Sequence, residues 1–416
     1  MSRLIVTGGN SLEGTITVSG AKNAVLPIIA ASLLSPEPLR IDDAPHLLDV
    51  DVMCEVISSF GSQVKRVGSQ LFINTSEITE IQAPHELVSK MRASIVTMGP
   101  LLARTGHVRI SHPGGCAIGS RPINWHLKGL EALGAEVRME HGFLDVSATV
   151  LKGTRIYLDF PSVGATENIM MAAAGAEGTT LIENAAQEPE IVDLANFLNQ
   201  MGGKVRGAGT SVIHIEGVRE FHGANHTVIP DRIEAGSYLL MAAAAGGDVL
   251  VQNVIADHNK PLLAKMSEAG IDFREEDDGI RVRGNGHYHA VDIKTQVHPG
   301  FPTDLQAPFL ALLCTAQGTG MVTETVFENR FMHVDELKRM GADIKIEGRS
   351  AIVQGVERLT GAPVKATDLR AGAALILSAL TAEGETEISG VEHIDRGYED
   401  IENKLNRIGA NIRRMA

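Results

Sequence analysis

The chain has 416 residues, of which 44% are hydrophobic, and its formal net charge at pH 7 is −14. This length exceeds that of a single ordinary hydrophobic core, and the acidic balance argues against nucleic acid as a partner. Because apolar runs stay below the ~18 residues of a membrane-spanning helix and the N-terminus lacks the pattern of a signal peptide, we expect no membrane insertion and a cytoplasmic location.

Two kinds of helix alternate along the chain after two N-terminal strand-like segments. The first kind is rich in small apolar residues all round, which predicts a buried helix, and its copies begin near Lys22, Met91, Gly164, Asp231, Thr303 and Thr367. The second kind is amphipathic and ends in a glycine that precedes a strand, a C-cap pattern, at Gly61, Gly134, Gly202, Gly270, Gly341 and Gly409. A recurrence about every 70 residues indicates six structural repeats.

Six repeats around two cores predict an α/β protein of two domains with three repeats each, the apolar helices inside and the amphipathic helices outside the sheets. The last repeat ends in one strand without a hairpin partner, so we expect residues 1–20 to complete it. The predicted domains are residues 21–229 and residues 230–416 with 1–20. Two crossings of the chain between them suit a hinge that closes over a cleft.

Several charged side chains stand at the predicted starts of the apolar helices. The helix dipole disfavours Lys22, Arg92 and Arg370 at these positions, and an anionic ligand or a salt bridge would each explain them. Asp304 and Asp368 have the alternative interpretation of helix caps. Arginine is suited to forked binding of carboxylate or phosphate.

A cysteine lies between glycines in the segment HPGGCAIGSR at 112–121. Glycines keep backbone accessible to a ligand, and a neighbouring cation such as Arg121 lowers the pKa of a thiol, so Cys116 is a candidate reactive residue. A loop cysteine without a role is the alternative for so short a motif. The chain has neither phosphate-binding glycine motifs for nucleotides nor metal-ligand spacing, so we expect no cofactor and no metal.

Seven motifs in chain order resemble the family of UDP-N-acetylglucosamine 1-carboxyvinyltransferases: GAKNAVLP, HPGGCAIGSRP, SVGATEN, PTDLQA, FENRFMH, TDLRA and HIDRGY. The resemblance implies an inside-out α/β barrel of two three-repeat domains. It also implies transfer of the enolpyruvyl group of phosphoenolpyruvate to the 3′-hydroxyl of UDP-N-acetylglucosamine, with release of phosphate. This reaction is the first committed step of peptidoglycan synthesis and needs no cofactor.

The same resemblance assigns roles to residues. Lys22 and Asn23 would hold phosphoenolpyruvate, Arg121 and Arg396 would bind its phosphate and carboxylate, and Arg370 would assist them. The residues expected to bind UDP-N-acetylglucosamine are Arg92, Arg121, Pro122, Ile123, Asn124, Trp125, Ser162, Val163 and Gly164, with Asp304 and Val326 near the sugar.

Cys116 matches the cysteine that this family uses as a general acid, that forms a covalent adduct with phosphoenolpyruvate and that fosfomycin alkylates. Asp304 is the candidate base for the sugar hydroxyl. One departure from the family is Asn124, where the family commonly has aspartate. The amide keeps an acceptor for the uracil but loses the charge.

Two other functions are weighed against this one. The sibling enzyme that acts on shikimate 3-phosphate shares the fold and the donor but lacks the cysteine loop and the RPxxxH stretch. A thiol protein without transferase activity would not require Lys22, Arg121, Asp304 and Arg396 together.

Overall fold

The computed structural model describes residues 2–111 and 122–415. These residues divide into two units, one made of 20–111 and 122–229 and the other of 2–19 and 230–415. Each unit has a hydrophobic core of its own. None of the helices in the described ranges combines the length and the apolar character needed to span a membrane.

The chain opens with strands β1 (Arg3–Thr7) and β2 (Leu12–Thr17). The elements of the unit 20–229 follow: α1 (Lys22–Ala31), β3 (Leu39–Asp42), α2 (Leu48–Ser59), β4 (Gln63–Val67), β5 (Gln70–Asn74), α3 (His85–Lys90), α4 (Met98–Thr105), β6 (His107–Ser111), α5 (Asn124–Ala132), β7 (Glu136–Glu140), β8 (Phe143–Ser147), β9 (Arg155–Tyr157), α6 (Val163–Ala174), β10 (Thr179–Glu183), α7 (Pro189–Gln200), β11 (Lys204–Arg206), β12 (Val212–Glu216) and β13 (Asn225–Thr227). Short 3-10 helices extend α1 at Ser32–Leu34 and precede α4 at Arg92–Thr97.

The remaining elements belong to the other unit: α8 (Arg232–Ala245), β14 (Gly247–Gln252), α9 (Lys260–Glu268), β15 (Asp272–Glu276), β16 (Gly279–Gly284), β17 (Ile293–Lys294), α10 (Gln306–Leu313), β18 (Thr319–Thr323), α11 (Val334–Arg339), β19 (Asp343–Glu347), β20 (Ser350–Gln354), β21 (Pro363–Lys365), α12 (Leu369–Thr381), β22 (Glu385–Ser389), α13 (Val391–Ile394), α14 (Ile401–Asn406) and β23 (Asn411–Met415). Two 3-10 helices, Ala256–Asn259 and Thr303–Leu305, precede α9 and α10.

The described residues form six sheets, and five of them share one arrangement of four strands. A parallel edge strand lies beside the strand that follows the apolar helix, and two antiparallel strands complete the sheet: β13-β3-β5-β4, β9-β10-β12-β11, β2-β14-β16-β15, β17-β18-β20-β19 and β21-β22-β1-β23. The sixth sheet is β6-β8-β7. The six predicted repeats are therefore confirmed.

The N-terminal strands complete two different repeats. β1 lies between β22 and β23 and replaces the missing hairpin strand of the sixth repeat, as predicted. β2 instead pairs in parallel with β14, with Leu12 opposite Gly247, so the expectation that all of residues 1–20 complete the sixth repeat is wrong for this strand. The reason is that β13, which precedes the fourth apolar helix α8, pairs with β3, and β2 covers the edge of β14 that would otherwise be exposed.

Local chemistry explains the helices of each repeat. All residues of α1 from Ala24 to Ala31 are buried, because apolar side chains on every face allow neighbouring elements to surround the helix. The glycines that end the amphipathic helices all have positive φ, between 78° and 111°, at Gly61, Gly134, Gly202, Gly270, Gly341 and Gly409. Only glycine adopts this conformation without a steric cost, so the predicted C-caps are confirmed.

Candidate active site

Asp304 lies between two arginines in the unit that contains residues 230–415. Its Oδ1 is 2.8 Å from Nη2 of Arg330, and its Oδ2 is 2.9 Å from Nη2 of Arg370. The Asp304 side chain is 25% exposed, whereas those of Arg330 and Arg370 are 6% and 3% exposed. The two buried guanidinium groups therefore hold the orientation of a carboxylate that remains accessible, and whose oxygens have further acceptor capacity.

The pKa of the Arg370 guanidinium reflects this pairing. Burial lowers the pKa, but the negative charge of Asp304, together with Tyr398, raises it above the ordinary value of arginine. Nη1 of Arg370 also lies 3.3 Å from the hydroxyl oxygen of Tyr398. Arg370 therefore stays charged at neutral pH. Its pairing with Asp304 compensates the cost of placing a cation in the first turn of α12.

The helix starts distinguish the two predicted caps. Asp368 is the N-cap of α12, and its Oδ1 accepts hydrogen bonds from the backbone N–H groups of Arg370 and Ala371. Asp304 is not an N-cap, because Pro302 and Leu305 occupy the N-cap positions of its 3-10 helix and of α10. The capping interpretation is confirmed for Asp368 and wrong for Asp304.

The other two predicted residues of this unit lie in neighbouring segments. The backbone N–H of Val326 donates to Oε1 of Glu324 at 2.8 Å. Arg396 is half-buried and follows α13, which packs against α12. The helices α10 and α12 also pack on each other, so the segments that carry Asp304, Arg370 and Arg396 are adjacent.

Lys22 and Asn23 begin α1 in the other unit. Nζ of Lys22 is 3.1 Å from Oδ2 of Asp49, and the two side chains are 12% and 5% exposed. An ion pair thus explains this cation at a helix start, one of the two explanations that the sequence left open. The ammonium group of Lys22 is held in place near the N-terminus of α1, and a positive charge in this position remains suited to binding an anion.

Arg92 and the predicted nucleotide-sugar residues of this unit lie around His126. Burial, and to a smaller extent the positive charge of Arg92, lower the pKa of His126 to about 4, so the ring is neutral at pH 7. Nδ1 of His126 is 3.0 Å from the side-chain amide nitrogen of Asn168 and therefore accepts a hydrogen bond. A β-carbon at Gly164 would lie 3.2 Å from Cε1 of His126, so the glycine permits this close approach.

The remaining predicted residues lie at two helix starts in the same region. Asn124 is the exposed first residue of α5, preceded by the exposed Pro122 and the buried Ile123. Trp125 stacks on Phe160 with ring centroids 5.3 Å apart. Ser162 caps α6 by accepting a hydrogen bond from the N–H of Ala165, and Val163 and Gly164 form the first turn. The helix α5 packs against α6, so these residues lie in one part of the unit.

Two predicted residues, Cys116 and Arg121, lie outside the described residues. The two cysteines that the structure does describe have unreactive thiols. Burial raises the pKa of Cys54, in α2, and that of Cys314, at the end of α10, to about 12 in each case. Within 2–111 and 122–415 no group of histidine, cysteine and carboxylate side chains could hold a metal ion.

Sequence reasoning missed three residues of these clusters. Arg330 stands in the motif FENRFMH, where its positive charge is the signal that could have indicated a role. Asp49 looks like an ordinary acidic residue in the first turn of an amphipathic helix. Glu324 follows a strand in TETVF and carries no recognisable pattern.

Glu167 gives a prediction for stability against pH. It is 5% exposed, and burial raises its pKa well above the ordinary value, with the charges of Glu190 and Glu188 raising it further. Protonated Glu167 therefore stabilises the folded protein fully at pH values below its pKa in the unfolded chain. This stabilisation is lost as the pH rises through the pKa of Glu167 in the folded protein. Because glutamine is neutral at every pH, we expect Glu167→Gln to raise the free energy of unfolding relative to wild type more at pH 8 than at pH 5.

Denaturant unfolding at the two pH values measures this difference. The control is Glu387→Gln, which changes a carboxylate that is 39% exposed and pairs with Arg3 at the surface. An equal effect of Glu167→Gln at both pH values would contradict the expectation.

Comparisons with known proteins agree with these features. A family model described as EPSP synthase (3-phosphoshikimate 1-carboxyvinyltransferase) matches residues 6–405. UDP-N-acetylglucosamine 1-carboxyvinyltransferase 1 of Caldanaerobacter subterraneus subsp. tengcongensis is 59% identical over 413 residues, which are 99% of each chain. UDP-N-acetylglucosamine 1-carboxyvinyltransferase 2 of Carboxydothermus hydrogenoformans is also 59% identical, over 100% of each chain.

Two solved structures share the fold. The enolpyruvyl transferase NikO from Streptomyces tendae has a TM-score of 0.89 at 24% identity, covering 100% of this chain and 99% of its own. EPSP synthase from Acinetobacter baumannii has a TM-score of 0.76 at 18% identity, with 100% of each chain covered. The predicted inside-out α/β fold is thereby confirmed. The full-length identity to the two curated relatives shows that the chain belongs to the family of UDP-N-acetylglucosamine 1-carboxyvinyltransferases.

Proposed function

We propose that the chain transfers the enolpyruvyl group of phosphoenolpyruvate to the 3′-hydroxyl of UDP-N-acetylglucosamine, with release of phosphate, as the first committed step of peptidoglycan synthesis. The observation that carries this proposal is the full-length identity of 59% to relatives with this name. The accessible Asp304 carboxylate held between Arg330 and Arg370 supports it, because the reaction needs an acceptor for the proton of the sugar hydroxyl.

In the proposed addition step, the 3′-hydroxyl oxygen attacks C2 of phosphoenolpyruvate. The hydroxyl proton passes to Asp304, and an acid adds a proton to C3. Cys116 is the candidate for that acid by family resemblance. In the elimination step, the bond between C2 and the phosphate oxygen breaks, and loss of a proton from C3 restores the double bond. Across the two steps C3 gains one proton and loses one, the hydroxyl loses one proton, and phosphate is the leaving group.

Phosphoenolpyruvate concentrates up to three negative charges in a small volume, so its binding requires several cations. We assign Lys22, Arg121 and Arg396 to this task, with Asn23 as a further contact and Arg370 acting through Asp304. The ion pair of Lys22 with Asp49 supports a positioning of the ammonium group before phosphoenolpyruvate arrives. The low exposure of Arg370, 3% for its side chain, supports an indirect role.

We assign the nucleotide sugar to Arg92, to residues 121–125 and 162–164, and to Asp304 and Val326. The placement of Arg92, Trp125 and Gly164 around the neutral His126 supports the first part of this assignment. Because His126 is uncharged at pH 7, the positive charge at this place comes from Arg92 and not from the imidazole ring. We also propose that the two structural units act as the two domains of the enzyme and that the reaction takes place in the cytoplasm.

The test is a phosphate-release assay with phosphoenolpyruvate and one of two acceptors. We expect release with UDP-N-acetylglucosamine, together with a product whose mass has increased by one enolpyruvyl group. We expect no release above background with shikimate 3-phosphate. The opposite preference would assign the chain to the sibling reaction, and no release with either acceptor would overturn the transferase proposal.

A further inference from the structure

Glu324 is 1% exposed. Among the described residues, the groups that donate to its carboxylate are hydroxyl and backbone N–H groups and carry no charge. Oε1 accepts hydrogen bonds from the Thr295 hydroxyl at 2.7 Å and from the backbone N–H groups of Val326 and Phe327 at 2.8 and 3.1 Å. Oε2 accepts from the Thr303 hydroxyl at 2.8 Å. Burying a carboxylate costs free energy unless hydrogen-bond donors satisfy its oxygens. The buried position of Glu324 therefore depends on these four donors.

The Thr303 hydroxyl connects Glu324 to Asp304. A hydroxyl has one hydrogen to donate, and the carboxylate of Glu324 takes it, so the Thr303 oxygen is oriented as an acceptor. Nη1 of Arg330 donates to that oxygen at 2.9 Å, and Nη2 of the same guanidinium lies 2.8 Å from Oδ1 of Asp304. Because a guanidinium is planar and rigid, fixing Nη1 also fixes the direction of Nη2.

The other oxygen of Glu324 holds the backbone at Val326 and Phe327. One buried carboxylate therefore ties the turn that carries Asp304 to the segment that carries Val326, and both residues are assigned to the sugar under the proposed function. We propose that Glu324 is a positioning residue for the transfer reaction, which sets the Asp304 carboxylate through Thr303 and Arg330 and places the backbone of Val326 against the sugar. This inference rests on the proposed function.

The test compares variants that keep the shape of the side chains. Glu324→Gln replaces one acceptor oxygen by an amide that donates, which breaks or reverses the bond from Thr303. We expect turnover to fall by roughly 10- to 100-fold, the effect of a reacting group that is misplaced by about 1 Å or less. We expect the KM for UDP-N-acetylglucosamine to rise and the KM for phosphoenolpyruvate to stay unchanged.

Two further variants separate positioning from stability. Thr303→Val removes the connecting hydroxyl and should lower turnover as Glu324→Gln does, whereas Thr303→Ser should retain wild-type turnover. The double variant Glu324→Gln/Thr303→Val should be no worse than Glu324→Gln alone, because both substitutions break the same connection to Arg330. Glu387→Gln, at an exposed ion pair in the same unit, is the matched control and should leave both KM values and turnover unchanged.

A lowered melting temperature with normal turnover and normal KM values in Glu324→Gln would overturn the inference, since the residue would then serve stability alone. Strict additivity of the two single variants would overturn it as well. If the wild-type chain releases no phosphate with UDP-N-acetylglucosamine, the proposed function itself fails, which the same assay distinguishes from the failure of Glu324.

Discussion

Replacement of Asp304 by asparagine is expected to lower turnover by about 10²–10⁴-fold, the usual contribution of a positioned general base. The amide still accepts a hydrogen bond from the sugar hydroxyl, so binding of UDP-N-acetylglucosamine should weaken only modestly. Part of the loss has a second cause, because an amide cannot accept from both Arg330 and Arg370 as the carboxylate does. Turnover and melting temperature are measured on the same preparation.

Asp248 offers a matched control for this substitution. It also lies between two arginines of the same unit, with its oxygens 2.7 Å from Arg281 and 3.3 Å from Arg283, but on a partly exposed strand surface. Surface pairs of this kind contribute little to stability. Because Asp248 also has no assigned role in the reaction, Asp248→Asn should leave turnover unchanged. Near-normal turnover of Asp304→Asn in a destabilised protein would refute the base and leave Asp304 a structural role.

Fosfomycin is expected to inactivate the enzyme by alkylating Cys116 alone. The nucleophile is the thiolate, and with a pKa of about 12 the thiols of Cys54 and Cys314 are ionised at pH 7.5 in roughly one molecule in 30,000. An ordinary cysteine with a pKa near 8.5 is ionised in about one molecule in ten at that pH. The expected preference for Cys116 is therefore about 10³-fold or more, which mass spectrometry of digested labelled protein measures.

The substitution Cys116→Asp tests the same assignment by removing the thiol. A carboxylic acid donates a proton but lacks the nucleophilic sulfur, so this variant should retain activity and resist fosfomycin. Label on Cys54 or Cys314, or inactivation of Cys116→Asp at the wild-type rate, would show that the reactive cysteine was assigned wrongly.

The amino-acid sequence by itself determined the repeats, the buried helices and the C-caps. These features arise from interactions within one helix or turn, so the spacing of apolar residues and of glycines such as Gly61 and Gly409 predicts them directly. The motifs also identified the family and most of the residues proposed for the site. The sequence was sufficient for these features because each helix, C-cap and motif is specified by fewer than about 20 consecutive residues.

Only the tertiary structure decided which residues of different helices and strands are in contact. Asp304 meets Arg370, which is 66 residues away along the chain, and Lys22 meets Asp49, 27 residues away. It also decided that β2 pairs with β14. Such contacts depend on how helices and strands that are distant along the chain pack together. The local sequence around a charge or a strand is the same whichever partner it has. Local patterns therefore specified the elements, while the packing of distant segments chose the partners of each charge and each strand edge.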